Sequence, residues 1–134
     1  MLSKREAIFV HIVDDDESVR KGLSRLLRSS GIECRAYDSP EKFLAEVKND
    51  GQACVIMDIT MPRMSGLVLS KLLKEKGVTL PIIAVSARDD PDTRQMIRAL
   101  GVRFFLRKPV DNQALIDAIR WVVQINHGQE SAPH

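Results

Sequence analysis

Asp14, Asp15, Asp58, Ser86 and Lys108 are residue types suited to metal and phosphoryl chemistry, and each follows a short apolar run. The runs are Ile8–Val13 and residues 54–57, 82–85 and 102–106. If they are parallel strands of one sheet, all these side chains emerge at one carboxyl edge. That edge is where open α/β sheets bind ligands. Three carboxylates brought together repel one another, and a divalent cation relieves the repulsion. Oxygen donors that retain some water suit Mg²⁺. A carboxylate ending a buried strand can also attack phosphorus and form an aspartyl phosphate. Lys108 stands where it can pair with Asp58 or clamp a phosphoryl oxygen.

Each residue alone also has a plainer reading. Acidic residues favour a helix N-terminus, which accounts for Glu17 and Asp16 in the run Asp14-Asp15-Asp16-Glu17. It accounts less well for Asp14 and Asp15, still at the strand end. Asp58 alone could cap a loop or helix, Ser86 could make a turn, and a single Lys is ordinarily solvated. The joint placement favours chemistry, because four of five predicted strands deliver a suitable group to the same edge.

The elements that must position these groups alternate along the chain. After Ile8–Val13, an apolar run broken by His11, residues 18–30 place Val19, Leu23, Leu26 and Leu27 on one helical face. Gly31 stops that helix. Residues 32–37 alternate as an edge strand does. Ser39-Pro40 is a cap followed by a first-turn proline, with Phe43, Leu44 and Val47 facing inward. Residues 53–57 form the third strand.

Residues 61–66 read as a loop, followed by a helix with Leu67, Leu72 and Leu73 among its apolar positions. Residues 81–85 form the fourth strand, 88–92 a polar loop, and 93–100 a short helix with Met96, Ile97 and Leu100 inward. Gly101 ends that helix, and 102–106 form the fifth strand. Asp111 caps a last helix carrying Leu115, Ile119, Val122 and Val123. Alternating strands and helices give a parallel sheet covered on both faces. Residues 1–126 are expected to be one domain, and the polar stretch 127–134 a tail or the start of a linker.

The 134 residues suit one domain, and 44% apolar residues with only 4% aromatics give an aliphatic core. A net charge of +2 is too small to argue for nucleic acid. No apolar run is long enough to span a bilayer, and residues 1–6 do not read as a signal peptide. Cys34 and Cys54 lack metal-ligand spacing and read as buried free thiols in a reducing cytoplasm, with a disulfide as the minority alternative.

Taken in order, Val13-Asp14-Asp15, Met57-Asp58-Ile59-Thr60-Met61-Pro62, Val85-Ser86-Ala87 and Lys108-Pro109 resemble the response-regulator receiver domain of two-component signalling. The likeness runs from about Ile8 to Val123. Residues 11–17 and Met64-Ser65-Gly66 are most similar to the FixJ/NarL-type branch, whose members usually carry a helix-turn-helix output domain.

The resemblance implies a flavodoxin-like (CheY-like) doubly wound sheet of five parallel strands, in the order 2-1-3-4-5. It implies that Asp58 is the phosphoacceptor for a sensor histidine kinase. Asp15, Asp58 and the Thr60 backbone carbonyl would hold Mg²⁺, with Asp14 acting through water. Lys108 would pair with the phosphoryl group, and its bond to Pro109 is often cis in the family. Ser86 would bond the phosphoryl group and draw its loop inward, and Phe105 would change rotamer with it. The face made by the fourth helix, fifth strand and last helix would then be read by partners or form a homodimer. The chain would be no enzyme beyond its own phosphorylation and dephosphorylation. Any DNA contact would come through an output domain outside these 134 residues, with the protein in the cytoplasm and off the membrane.

Five positions depart from the family's common pattern. Phe105 stands where Tyr is frequent, Val110 where Phe or Ile is frequent, Arg103 and Arg107 make the output face more basic, and Thr60 lies where side chains affect access of hydrolytic water.

Three rivals carry different expectations. A Mg²⁺-dependent phosphatase of the haloacid-dehalogenase type also uses a strand-end Asp, but needs a second Asp where Thr60 stands. A flavin carrier on the same fold needs a phosphate loop where the acidic run lies. A phosphorylation-independent interaction module does not explain why the acidic pair, Asp58 and Lys108 are all present. Arg20, Lys21, Arg25 and Arg28 make the first helix basic on its outer side, which reads as a solvated face or a docking surface before it reads as a nucleic-acid site.

Overall fold

The computed structural model describes residues 7–47, 52–60 and 66–126. Five strands, β1 (Ile8–Val13), β2 (Glu33–Tyr37), β3 (Gln52–Asp58), β4 (Ile82–Ser86) and β5 (Phe104–Arg107), alternate with five helices among the described residues. These are α1 (Glu17–Ser29), α2 (Pro40–Glu46), α3 (Gly66–Glu75), α4 (Pro91–Leu100) and α5 (Asn112–Asn126). The strands form one sheet in the order β2-β1-β3-β4-β5, and every neighbouring pair is parallel. The parallel sheet is the one that the alternating pattern predicts, and its order is the one that the resemblance implies.

The period of two along each strand divides the core into two layers. Val10, Ile12, Cys54, Ile56, Ile83 and Val85 lie on one face, packed with Leu27 of α1 and Leu115, Ile119 and Val122 of α5. Val13, Val55, Met57, Ile82 and Ala84 lie on the other, under Phe43 and Leu44 of α2, Leu69 and Leu73 of α3, and Leu100 of α4. The central strands are buried on both faces, which is why they read as continuous apolar runs. His11 fits this core because its Nδ1 lies 3.0 Å from the Tyr37 hydroxyl, with its ring against Phe9 and Phe43.

Local chemistry sets the helix ends. Asp16 caps α1 by accepting from the backbone of Ser18 and Val19, and Ser39 caps α2 through the Lys42 amide. Asp111 accepts from the Ala114 amide at 2.8 Å and starts α5. Gly101 ends α4 at φ 63°, in the left-handed region that glycine enters without strain.

Several boundaries differ from the sequence expectation. α4 starts at Pro91, because Asp90 caps it and a proline suits the first turn. α2 stops at Glu46, so Val47 lies beyond its last turn. β5 starts at Phe104 rather than 102, although the Arg103 amide already bonds the Ile82 carbonyl at 2.9 Å. Cys34 is only half-buried, whereas Cys54 is buried and its thiol is pushed up to about 12 by desolvation. Both cysteines are in register with Val10 on opposite sides of β1. That places them two strand spacings apart, about 9.6 Å, too far for a disulfide. The expected loop over 61–65, the tail at 127–134, residues 1–6 and the Leu67 side chain lie outside what the structure describes.

Ile119 is fully buried between α5 and the sheet. Ile119→Ala is expected to lower unfolding free energy by about 2–5 kcal/mol, read as a reduced midpoint in urea unfolding. A loss within experimental error would show that this layer is not tightly packed.

Candidate functional site

The ends of β1, β3 and β5 converge at the carboxyl edge. Asp14 continues β1 on the parity of Ile12, Asp58 ends β3 on the parity of Ile56, and Lys108 follows β5 on the parity of Leu106. All three therefore lie toward the α1–α5 side of the sheet. The Lys108 Nζ stands 3.2 Å from Asp58 Oδ2 and 3.3 Å from Asp14 Oδ2. Asp14 and Asp58 are almost wholly buried, at 3% and 6% exposure, and Asp15 is exposed. Carboxylate oxygens of Asp14, Asp15 and Asp58 all lie within 4.8 Å of one another. A set of hard oxygen donors with excess negative charge has the chemistry of a hard divalent cation site.

The remaining carboxylate oxygens are also held. Asp14 Oδ1 accepts from the Asp16 amide at 2.9 Å. Asp58 Oδ1 accepts from the Thr60 amide at 2.9 Å and from the Thr60 hydroxyl at 2.6 Å. The Asp16 carboxylate is taken up by the α1 cap, which removes it from the cluster.

Burial raises the Asp14 carboxyl above its ordinary value. The Asp16 amide opposes this, the Asp58 charge adds to it, and Lys108 offsets only part. For Lys108, partial burial pushes the ammonium down, but Asp58 and Asp14 together push harder, and its pKa ends above the ordinary lysine value. The ammonium is therefore fully charged at neutral pH.

Ser86 and Phe105 share the opposite parity, that of Ala84, and face the α2–α3–α4 layer. Ser86 has no exposed surface. Its Oγ accepts from the Arg88 amide at 2.9 Å, and its carbonyl accepts from the Lys108 amide at 2.9 Å. Phe105 is half-buried. The Lys108–Pro109 bond is cis. Thus Asp14, Asp15, Asp58 and Lys108 gather into one cluster, with Thr60 bonded to it. Ser86 approaches from the other side of the sheet.

Four contacts were not anticipated from sequence. Asp89, three residues after Ser86, pairs with Arg94 of α4 at 2.8 Å and with Arg107 of β5 at 3.6 Å. Arg107 is thereby partly neutralised on the face expected to be basic. The signal available was an acidic pair, Asp89-Asp90, opposite a cluster of arginines. Arg20 donates to the Asp14 carbonyl at 2.8 Å and Lys21 pairs with Glu17 at 3.1 Å. The outer basic character of α1 therefore rests mainly on Arg25 and Arg28.

Because burial raises Asp14, the charged carboxylate costs stability above its folded pKa, and the cost vanishes below the ordinary value of 3.8. Asp14→Asn is expected to raise the urea midpoint of the metal-free protein at neutral pH. The gain should shrink as pH falls through the raised folded pKa and be gone below that ordinary value. A variant less stable at neutral pH would show that Lys108 outweighs burial.

The protein-family model described as the response regulator receiver domain matches residues 10–120. The response regulator protein TodT of Pseudomonas putida is 37% identical over 131 residues, covering 97% of this chain and 57% of TodT. The solved structure of the response regulator StyR superposes with a TM-score of 0.79 at 38% identity, covering 94% of this chain and 64% of that one. Full-length FixJ from B. japonicum gives a TM-score of 0.80 at 27% identity, covering 92% and 61%. The chain spans rather more than half the length of these relatives. Charge cluster, topology and likeness agree, and the chain belongs to the response-regulator receiver-domain family, a class of signalling modules.

Proposed function

We propose that this chain is the phosphoacceptor of a two-component pathway, and that Asp58 takes a phosphoryl group from a phosphohistidine of a sensor kinase. The observation that carries this reading is the Lys108 ammonium held between the buried carboxylates of Asp58 and Asp14 at the sheet edge. The oxygen-only donor set fits Mg²⁺. Asp15, Asp58 and the Thr60 carbonyl would hold it directly and Asp14 through water. When bound, the ion neutralises charge shared by the carboxylates and the phosphoryl oxygens.

The chain's own groups do the rest. A carboxylate oxygen of Asp58 bonds to phosphorus as the phosphorus–nitrogen bond of the donor breaks, and the imidazole leaves with that electron pair. Lys108, charged at neutral pH, exchanges part of its carboxylate pairing for a phosphoryl oxygen. The Ser86 oxygen already accepts from Arg88, so its proton is available to donate to the phosphoryl group. The added charge, roughly −1.5 to −2, draws Ser86 and the loop through Asp89. Phe105 lies on the same face and repacks with them.

The α4–β5–α5 face then presents the signal to an output domain or a second copy of the chain. The relatives' names include transcriptional regulatory proteins, which supports transcription as the output, exerted through a domain beyond residues 1–126. Residues 127–134 would begin the connection. The chain's reactions would be confined to its own phosphorylation and dephosphorylation. No helix among the described residues is long and apolar enough to cross a membrane, and a cytoplasmic site of action fits the kinase partner.

Intact-mass spectrometry after incubation with acetyl phosphate and Mg²⁺ is expected to show one base-labile phosphoryl adduct, absent from Asp58→Asn. An undiminished adduct in that variant would remove Asp58 from the role. A second expectation concerns Thr60, whose hydroxyl competes for Asp58 Oδ1. Thr60→Val is expected to tighten Mg²⁺ binding by about threefold in calorimetry. Unchanged or weaker binding would mean the hydroxyl supports the site.

A further inference from the structure

We propose that Asp89 is a positioning residue that latches the loop after β4 to β5 and holds the chain in its unswitched form. The latch presupposes Asp58 as phosphoacceptor, and it is the contact that phosphorylation has to break. Ser86 and Arg107 are partners across β4 and β5. Three residues beyond Ser86 the chain turns back, and the Asp89 carboxylate comes within 3.6 Å of the Arg107 guanidinium. The loop is thus tied to the sheet beside the strand position that carries Ser86.

Arg94 of α4 sets the aim. Its guanidinium holds both Asp89 oxygens, with Nε at 2.8 Å from Oδ1 and Nη2 at 3.2 Å from Oδ2. Two parallel bonds of this kind fix the orientation of the carboxylate. They also hold the Asp89 carboxyl below its ordinary value, so it is charged at neutral pH. Asp89 and Arg94 belong to the loop and the helix it enters, whereas Arg107 belongs to the sheet. A shift of the loop carries the first pair along and pulls only on the second. Contacts bias a two-state equilibrium only where they differ between the states, so the Asp89–Arg107 pair is the part that resists the switch.

What the latch holds is visible at Ser86. Its Oγ accepts from the Arg88 amide at 2.9 Å, and the Arg88 side chain is in turn held by the Asp90 carboxylate, with Nε 2.9 Å away. Two consecutive residues, Arg88 and Asp89, are therefore fastened beside a hydroxyl that has no exposed surface. Ser86 lies on the opposite parity from the Asp58 cluster, so it meets a phosphoryl group there only if this loop moves. The tie to Arg107 opposes that step. An exposed ion pair is worth at most about a fivefold bias, small enough for the charge of one phosphoryl group to overcome.

The test is the initial rate of labelling of the full chain by acetyl phosphate with Mg²⁺, read by intact mass. Asp89→Asn and Arg107→Gln are each expected to label about two- to fivefold faster, as the fraction of chain poised to react rises. The two remove charges of opposite sign. A field effect on the anionic donor would speed one and slow the other, whereas a shared latch speeds both. The double variant should be no faster than the faster single variant. Arg107→Lys keeps the pair, and Arg103→Gln removes the same charge four residues earlier, so neither should exceed the wild-type rate. Rates of the two main variants that split, fall or stay at the wild-type value would overturn the latch. So would rates that multiply in the double variant, or faster labelling of either control. If Asp89→Asn does not fold, Arg107→Gln alone decides, because losing a positive charge slows an anionic donor through the field. A wild-type chain that forms no adduct ends the phosphoacceptor reading and the latch with it. A wild-type adduct with any of the other failures ends only the latch.

Discussion

A single ammonium held between two buried carboxylates governs this end of the molecule. At an effective dielectric of about 20, unit charges about 4 Å apart interact by about 4 kcal/mol. Lys108 attracts Asp58 and Asp14 at this scale, and the two carboxylates repel each other at a comparable one. That trio is balanced in favour of staying together. Asp15 upsets the balance, because its carboxylate comes within the same 4.8 Å cluster and adds repulsion toward both partners. The sheet edge therefore carries more negative charge than its own cation neutralises. Folding tolerates this because backbone amides and the Thr60 hydroxyl spread the load over the other oxygens. A site arranged this way is set to take on positive charge.

The hydrophobic layers make that arrangement possible. The carboxylates would separate if the strand ends could move apart, and the strands are fixed by apolar side chains on both faces. Ile12, Ile56 and Val85 pack beneath the cluster on the α1–α5 side, and Val13 and Met57 pack on the other. Much of the stability of this fold comes from ordinary aliphatic burial, while the charged edge subtracts from it, as the raised Asp14 carboxyl indicates.

The strands and the gathering of Asp14, Asp15, Asp58 and Lys108 were legible in sequence because each rests on a local, repeated signal, an apolar run followed by a polar group, whereas the strand order came from the family resemblance. The end of α2 at Glu46 and the start of α4 at Pro91 were less legible, since caps shift a boundary by a few residues without altering the apolar pattern. The roles of Arg20 and Asp89 were hidden for a different reason. Arg20 looks like part of a basic surface until its reach to the Asp14 carbonyl is seen. Asp89 finds Arg107 across a gap in sequence that no periodicity encodes. Long polar side chains choose partners by tertiary geometry, and sequence carries that information poorly.

Parity along the strands also explains how two jobs can share one edge. Asp14, Asp58 and Lys108 occupy the α1–α5 side, while Ser86 and Phe105 occupy the α2–α3–α4 side. A charge placed on Asp58 would therefore have to reach the second layer through β4, which pairs with β3 beside Asp58 and with β5 beside Lys108. The contacts there are few and direct: the Lys108 amide bonds the Ser86 carbonyl at 2.9 Å, and Asp89 ties the following loop to Arg107 and Arg94. The ion pairs are exposed, so each contributes little to global stability. Weak, exposed fastenings around a buried hydroxyl are what a loop needs if it is to shift without disturbing the sheet. In the proposed switch, the strong interactions would fix where the charge is received, and the weak ones would allow its arrival to be noticed on the other face.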